Sequence, residues 1–376
     1  MQTELAKKLG IDFPIFAFTH CRDVVVAVSN AGGIGVLGAV GFSPEQLEIE
    51  LSWIDEHIGD KPYGVDVIIP NKYVGQEEKS QEKLQTMISA AIPQSHRDFA
   101  DELLDAHGVP RLPEGKKIED RLLMTEATST PLVDVALRHE KVRLIANALG
   151  TPPAGVIKQI QDSGRMVGAL CGSPSHARRH VEAGLDFIVA QGGEGGGHTG
   201  EIGSMVLWPE VVDVAGDVPV IAAGGIGSGR QMFAALATGA QGVWCGSLWL
   251  TVAESAIGEV ERDLLLGAKS NDTVRSASVT GKPVRMLKNA WTEAWDAGNN
   301  PKSLDAPMQM MAVGRAMARM RQYPEQSREL LFVPVGQIVG RLNEVASAKD
   351  VVSQLVNEYL ETQERMNRLL PDLNSV

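Results

Sequence analysis

Short apolar runs alternate along the chain with segments whose apolar residues recur at helical spacing. Several runs, such as residues 187–191, are almost continuously apolar, as strands covered on both faces must be. Eight such strands separated by helices within about 250 residues predict an α/β fold, a (β/α)8 TIM barrel, with a doubly wound open sheet as the alternative. The predicted strands are Ile11–Thr19, Gly33–Ala39, Tyr63–Ile69, Val142–Ala148, Met166–Cys171, Phe187–Gln191, Val218–Ala223 and Gly242–Gly246.

The intervening helices carry sequence signals at their ends. Glycine directly after an apolar periodic segment is typical of a helix C-terminus, and serine before proline or glycine is typical of an N-cap. Four crossover helices are predicted on this basis: Arg22–Ala31 ending at Gly32, a helix after Ser43 and Pro44, Pro174–Ala183 ending at Gly184, and Gly229–Thr238 between Ser228 and Gly239.

The barrel is predicted to span residues 1–255, and two regions of the chain are not needed to form it. Residues 71–127 form a long polar insertion after the third strand. An insertion there belongs to the carboxyl face of a barrel, so a lid over the site and a peripheral decoration are equally good interpretations. Residues 256–376 are predicted to be a mostly helical region packing on the barrel or on a partner subunit, with helical spacing of apolar residues over Val335–Leu370.

The charge balance narrows the class of partner. Lys and Arg number 35 against 47 Asp and Glu, so the formal net charge is −12. This argues against nucleic acid or an anionic membrane surface as the main partner, whereas a small anion can still bind a locally positive site. Cys21, Cys171 and Cys245 are widely spaced, which indicates neither a disulfide framework nor a metal site.

One uncharged stretch, Gln231–Ala253, has 23 residues and is long enough to span a bilayer. Its glycines and polar residues instead predict a buried helix, a glycine stop, a buried strand and a polar loop. Near the N-terminus, Asp12 and Arg22 interrupt the apolar stretch that a signal peptide needs. A soluble, cytoplasmic protein is therefore expected.

The densest candidate chemistry is the decapeptide QGGEGGGHTG at residues 191–200, directly after an apolar strand. Its six glycines allow the backbone to approach a flat or charged ligand closely. His198 on this loop is a candidate proton acceptor or donor, and a flexible turn with an exposed histidine is the alternative. No helix is expected to open between Ile202 and Pro209, so the GxGxxG match at Gly195 is weak.

Two further glycine-bearing strand ends follow. Residues 220–229 read VIAAGGIGSG and open a helix, whose free N–H groups and dipole suit a phosphate. Residues 244–247, WCGS, end the next strand. Loops after the seventh and eighth strands of a barrel frequently bind phosphate, so the two motifs together favour a phosphate site.

These words, in this order and spacing, resemble the nitronate monooxygenase family, also called 2-nitropropane dioxygenases. The resemblance covers about residues 1–70 and 140–290, including GIDFPIFAFTH, IAAGGIGSGRQMFAALATGAQGVWCGSLWL and TGKPVRMLKN. It implies a TIM barrel that binds FMN non-covalently, with His198 as the catalytic base. The positions that it implies for FMN contacts are Ala17, Phe18, Asp66, Gln191, Gly196, Gly225, Trp244, Cys245, Gly246 and Ser247.

The sequence departs from the family pattern near the expected flavin ring. Ala17-Phe18-Thr19-His20 stands where the family usually has Ala-Pro-Met, and Asp66 stands where it has a flavin-contacting Asn. His20 either lines the same face and binds a substrate anion or is structural. The remaining histidines are expected at the surface: His57, His96, His107, His139, His176 and His180.

The resemblance implies oxidation of alkyl nitronates with O2 to a carbonyl compound and nitrite, with His198 removing the α-proton of neutral nitroalkanes. One alternative is an FMN-dependent NAD(P)H:quinone or acyl-thioester (enoyl) oxidoreductase. The other is a flavin-binding protein without turnover. In each case we expect a small-molecule substrate, no nucleic-acid, membrane or metal partner, and an oligomeric state that the sequence leaves open.

Overall fold

The computed structural model describes residues 2–70, 80–116 and 126–369. Strands and helices are numbered below in chain order within these residues. Eight parallel strands close into a barrel. The short strand β7 (Gly197–His198) lies outside the barrel, in a separate three-stranded sheet. The barrel strands are β1 (Ile15–Thr19), β2 (Ile34–Gly38), β3 (Tyr63–Val67), β4 (Val142–Asn147), β5 (Met166–Cys171), β6 (Phe187–Gln191), β8 (Val220–Ala223) and β9 (Gly242–Cys245).

The predicted strands and the TIM barrel are confirmed. Closure is visible at β1, where Phe16 is in register with Ile34 of β2 on one side and with Trp244 of β9 on the other. This double pairing rules out the open doubly wound sheet, which would leave two strands at the edges.

Strand alternation decides which side chains fill the barrel. A buried cluster that includes Phe16, Val36, Leu144 and Phe187 occupies its interior. A Cβ atom at Gly64 would lie 2.5 Å from Leu144 Cδ1, so this position of β3 faces inward. Asp66, two residues further on, faces the same way at the carboxyl end of the strand.

Helices cover the barrel between its strands. Ser43 caps the third helix in a capping box, and Ser228 caps the tenth, as predicted. The covering helices are α2 (Arg22–Asn30), α3 (Pro44–His57), α6 (Glu126–Arg138), α7 (Ala154–Asp162), α8 (Pro174–Glu182), α9 (Ser204–Ala215) and α10 (Gly229–Ala237). The first helix, α1 (Glu4–Leu9), precedes β1, and its buried residues pack with the cluster in the barrel interior.

Within the insertion, the structure describes α4 (Gln81–Ala91) and α5 (Gln94–Ala106). Both pack on α13 (Met308–Gln322) of the C-terminal region. The buried Arg319 guanidinium of α13 joins this helix to α5 and the residues after it, donating to Asp101 Oδ1 at 2.8 Å, Asp105 Oδ1 at 2.7 Å and Val109 O at 2.7 Å. Residues 71–79 and 117–125 lie outside the described chain, and the choice between lid and decoration stays a prediction.

The C-terminal region contains strands as well as helices. Its other elements are α11 (Glu259–Gly267), β10 (Thr273–Ser276), β11 (Val284–Leu287), α12 (Ala290–Asp296) and α14 (Ala348–Leu369). The expectation of helical structure from Val335 is wrong for the first part, because the α-helix begins only at Ala348. Gly336 and Gly340 disfavour an α-helix there, and Val335 and Val339 are buried by an irregular segment with a 3-10 turn.

The uncharged stretch Gln231–Ala253 forms α10, a turn, β9 and a 3-10 turn, as predicted. Among the described residues, no helix is both long and apolar enough to cross a membrane. The cytoplasmic location stays a prediction.

Two histidines expected at the surface are buried. His139 Nδ1 lies 2.6 Å from Asp55 Oδ2, and His180 lies between Thr151 Oγ1 and the carbonyl oxygen of Leu170. Both were predicted to be exposed because they lie among charged residues in the sequence. In the structure each ring instead has polar partners on other elements, which the neighbouring residues do not reveal.

Candidate active site at the carboxyl ends of the barrel strands

Aromatic rings line one side of the barrel mouth. Phe18 and Trp244 stack with ring centroids 6.1 Å apart, and Phe16 lies below with its centroid 6.3 Å from that of Trp244. Ala17 and Cys245, in register with each other, alternate with these rings and pack among the residues outside the barrel interior. Only their backbone can therefore border the mouth, and burial raises the pKa of the Cys245 thiol to about 12, so it is not a thiolate nucleophile.

Asp66 is a buried polar group. Its side chain is 1% exposed, and among the residues that the structure describes neither carboxylate oxygen has a hydrogen-bond partner. Burial raises the pKa of this carboxyl well above its usual range. Its register neighbours, Gly38 and Ala146, have minimal side chains and bring it no polar group.

His20 lies at the same mouth. Its Nδ1 is 2.9 Å from Gly38 O, and its ring contacts Phe18 edge-on with centroids 5.2 Å apart. A Cβ atom at Gly38 would come within 2.6 Å of the His20 ring, so glycine is required there. The imidazole is exposed, which leaves Nε2 available to a ligand.

The loop after β6 is organised by Glu194. Its carboxylate accepts hydrogen bonds from Ser204 N at 2.9 Å and from Ser204 Oγ at 2.8 Å. These bonds cap α9, which begins at Ser204, so the expectation that no helix opens here is wrong. The signal was missed because Gly203 supplies no capping side chain and the cap comes from ten residues earlier.

His198 lies in the short strand β7, which pairs with β11 through Val284. Its Nδ1 is 3.2 Å from Pro283 O. A carbonyl oxygen can only accept, so Nδ1 carries the hydrogen and Nε2 is the free basic nitrogen in the neutral ring. The side chain of His198 is exposed, as the alternative interpretation of this loop expected. Partial desolvation by the surrounding groups still lowers the pKa of His198 and the Lys282 charge adds to this, while the bond to Pro283 acts in the opposite direction.

The loop after β8 turns through Gly224 and Gly225, both with positive φ. The backbone N–H groups at the start of α10 were expected to be free to bind a phosphate, but two of them already donate hydrogen bonds to side chains. Gly227 N donates to Gln231 Oε1 at 2.9 Å, and Gly229 N donates to Glu358 Oε2 at 3.0 Å. That expectation is wrong at these two amides, because side chains from α10 and α14 reach back to them.

A cavity of about 360 Å³ borders this loop. Its lining includes the carboxylate-bearing Glu194, the backbone of Gly224 and Gly225, and the cation of Arg341. Arg341 Nε donates to Gly227 O at 3.3 Å, which holds a positive charge beside the glycine turn.

The C-terminal segment Val335–Gln337 completes the site and was not anticipated. Gly336 N donates to Ser247 Oγ at 2.9 Å, and Gln337 N donates to Glu194 O at 2.9 Å. A Cβ atom at Gly196 would lie 2.8 Å from Gly336 N. The only sequence feature that marks this segment is a Gly-Gln dipeptide between apolar residues. That feature does not reveal which loop of the barrel the segment contacts.

The structure thus brings Phe18, Asp66, Trp244 and the glycine loops to one end of the barrel. Gln191 joins them, since its Nε2 donates to Gly196 O at 3.4 Å. Among the described residues, no three His, Cys, Asp or Glu side chains are grouped so that they could hold a metal ion. A buried unpaired carboxyl and glycine turns beside a cation suit a flat polar ring carrying a phosphate.

Comparison with known proteins agrees with this geometry. A Mycobacterium tuberculosis protein provisionally named as a monooxygenase is 49% identical, over 98% of this chain and 100% of that protein. A Staphylococcus aureus protein provisionally named nitronate monooxygenase is 28% identical, over 95% of this chain and 97% of that protein.

Solved structures share the fold. FabK from Thermotoga maritima superposes with a TM-score of 0.70 at 25% identity, covering 98% of this chain and all of its own. Nitroalkane oxidase from Streptomyces ansochromogenes superposes with a TM-score of 0.78 at 22% identity, covering 96% and 99% of the two chains. A sequence model of the family described as nitronate monooxygenase matches residues 2–358. The chain therefore belongs to the nitronate monooxygenase family of flavin-dependent oxidoreductases.

Proposed function

We propose that the protein is an FMN-dependent nitronate monooxygenase that oxidises small alkyl nitronates with O2 to a carbonyl compound and nitrite. The observation that carries the proposal is the meeting of Asp66, Trp244 and the glycine loops at the carboxyl end of one barrel. Phe18 and His20 flank the same opening.

The residues divide between the two ends of the cofactor. The backbone of Ala17 and Phe18, with Asp66, would border the isoalloxazine ring. The glycine turns at Gly196 and Gly225 and the WCGS end of β9 would surround the phosphate, with Arg341 supplying positive charge. When bound, FMN supplies the route for electrons from substrate to oxygen.

The chain's own contribution to the reaction is position and proton transfer. His198 Nε2 accepts the α-proton of a neutral nitroalkane, and Nδ1 stays fixed on Pro283 O. Its lowered pKa keeps the imidazole neutral, and therefore basic, at neutral pH. His20 and the apolar rings of Phe18 and Trp244 shape the space for a small anion.

Anaerobic mixing of the flavin-loaded protein with propionate 3-nitronate tests this function. We expect rapid loss of the visible absorbance of oxidised flavin, with recovery of that absorbance and release of nitrite when air is admitted. An unchanged spectrum with the nitronate would remove the nitronate chemistry from the proposal.

A second function is favoured by a different observation, a cavity of about 420 Å³ between the insertion and α13. Arg97, Met310 and Met311 are among its lining residues, a combination that suits a long substrate with an anionic and an apolar part. An NAD(P)H-dependent acyl-thioester reductase would use such a cleft, and whole-length similarity to FabK supports it. Fast flavin bleaching by NADH, but not by the nitronate, would select this function. Bound flavin that neither donor reduces would select a protein without turnover.

A further inference from the structure

Asp66 is the buried polar group whose chemistry the proposed function leaves unexplained. It is the next-to-last residue of β3, near the carboxyl end of the strand inside the barrel, and within the described residues neither of its oxygens has a hydrogen-bond partner. Burying a carboxyl without a hydrogen bond is costly, so such groups persist where a ligand supplies the partner. The inference below rests on the proposed flavin function.

The described elements packed around this end of β3 bring it no opposite charge. β2 presents Gly38, with the His20 ring above it, and β4 presents Ala146. The amide of Asn147, next along β4, is turned away to Ile69. Within the described chain, His20 is the titratable side chain on the mouth side of Asp66.

The outer side of β3 is covered by α6. Its Asp134 accepts a hydrogen bond from Gln159, and its Arg138 forms an ion pair with Glu48, so both charges are engaged away from the barrel interior. Burial therefore raises the pKa of Asp66.

The protonation state decides what Asp66 can bind. A neutral carboxylic acid presents an O–H donor beside a C=O acceptor, whereas a carboxylate only accepts. The pyrimidine edge of a flavin presents one N–H between two carbonyl oxygens. A neutral acid can make two parallel hydrogen bonds to that edge, but a carboxylate would leave one of its oxygens against a carbonyl oxygen.

We propose that Asp66 holds the pyrimidine edge of the flavin as a neutral carboxylic acid, donating to a ring carbonyl and accepting from the ring N–H. It is then a proton-dependent equivalent of the Asn that the family usually has. Flavin binding is linked to one proton, so the dissociation constant rises about tenfold per pH unit once pH exceeds the pKa of Asp66 in the flavin-free protein.

The test is flavin affinity rather than turnover. FMN is removed from the full-length protein and titrated back between pH 6 and 10, with quenching of flavin fluorescence as the readout. The wild type, Asp66→Asn, His20→Gln and Asp296→Asn are compared. Asp296 is the control away from the barrel mouth, because desolvation also raises the pKa of its carboxyl, but its side chain is exposed and accepts a hydrogen bond from Ser276 Oγ on the C-terminal β10.

We expect the wild-type dissociation constant to rise with pH and that of Asp66→Asn to stay constant, within about threefold of the wild-type value at low pH. This follows because an amide keeps a donor beside an acceptor without titrating. His20→Gln and Asp296→Asn should keep the wild-type slope. Far-UV circular dichroism at each pH verifies that every variant remains folded.

A pH-independent wild type overturns the inference, and so does an Asp66→Asn variant that keeps the slope or binds more than tenfold more weakly at low pH. A slope lost in His20→Gln would assign the proton to His20 instead. Flavin that fails to bind the wild type at any pH would overturn the proposed function as well, so the two failures are distinguishable.

Discussion

The backbone amide of Gly336 donates a hydrogen bond to the hydroxyl oxygen of Ser247 at 2.9 Å, across 89 positions of sequence. This contact joins the end of the last barrel strand to a segment that follows α13. The same segment lies against Gly196 and Glu194, on the loop after β6. The site is therefore closed by the C-terminal region, and its geometry depends on close backbone packing.

Gly336→Ala should disturb this packing. The new Cβ atom would lie 2.8 Å from Glu194 O and 3.0 Å from Gly196 N. Both are backbone atoms, which cannot rotate away as a side chain can. We expect a loss of about 1–3 kcal/mol in the free energy of unfolding, together with weaker FMN binding. Urea denaturation and flavin titration measure the two effects.

Gly155→Ala is the matched control for that substitution. Gly155 is exposed in the first turn of α7, and its Cβ atom would meet nothing within 4 Å. Alanine there should leave FMN binding unchanged and raise stability by up to about 1 kcal/mol. Equal behaviour of the two variants would show that the approach of Gly336 to the loop is not tight.

His198→Ala separates two substrates. Removal of the base should lower the rate of nitroalkane oxidation by about 10²–10⁴-fold, while oxidation of preformed nitronate is spared because no proton has to be removed. Steady-state assays with a nitroalkane and its nitronate measure this directly. Equal loss with both substrates would mean that His198 does not act as the base.

The pH profile gives a second test of His198. Its pKa is lowered, so the neutral base persists below the ordinary histidine range. For the neutral nitroalkane, kcat/KM should stay constant as pH falls to about 6.5 and decline only below it. A decline that begins above pH 7 would contradict a lowered pKa of His198.

Arg319→Met should loosen the insertion from α13. Arg319 is 1% exposed, but Asp101 and Asp105 keep about a third of their side-chain surface in solvent. The cost should therefore lie near the lower end of the about 3–5 kcal/mol typical of a broken buried pair. Urea denaturation measures it, and faster proteolysis within residues 107–116 should accompany it.

The control for Arg319 is Arg328→Ala. Arg328 pairs with Asp263 at 3.7 Å, and both side chains are largely exposed. Its removal should change stability by less than about 1 kcal/mol. If the two arginine variants lose the same stability, the buried network is not what fixes the insertion.

His180 should make stability fall in acid. Burial lowers its pKa in the folded protein, with the charges of His176 and Arg179 acting in the same direction. Below about pH 6.5 the histidine is protonated in the unfolded chain while it is still neutral in the folded chain. The free energy of unfolding is therefore retained above about pH 6.5 and falls below it, by up to about 1.4 kcal/mol per pH unit.

His180→Gln should flatten this dependence between pH 5 and 6.5, measured as the free energy of unfolding in urea. His57→Gln, on the exposed surface of α3, should keep the wild-type profile. A slope unchanged in His180→Gln would place the acid-sensitive proton elsewhere.

Local signals predicted much of the fold. The strands Met166–Cys171 and Phe187–Gln191 were predicted with their observed bounds, because both are short apolar runs bounded by glycine or polar residues. The caps at Ser43 and Ser228 were predicted because a cap involves only neighbouring residues. The start of α9 was missed, since its capping group comes from Glu194 on another loop.

The order of strands and helices, the family and the strand ends that carry glycine loops could all be predicted from the amino-acid sequence. These properties depend on periodicity and on motifs of a few adjacent residues. Three features of the site could be seen only in the folded chain: among the described residues Asp66 is buried without a hydrogen-bond partner, the amides of Gly227 and Gly229 are already bonded, and Gly336 contacts Ser247. Burial and hydrogen-bond partners come from groups that folding brings together from distant positions, and no local pattern encodes which groups those are.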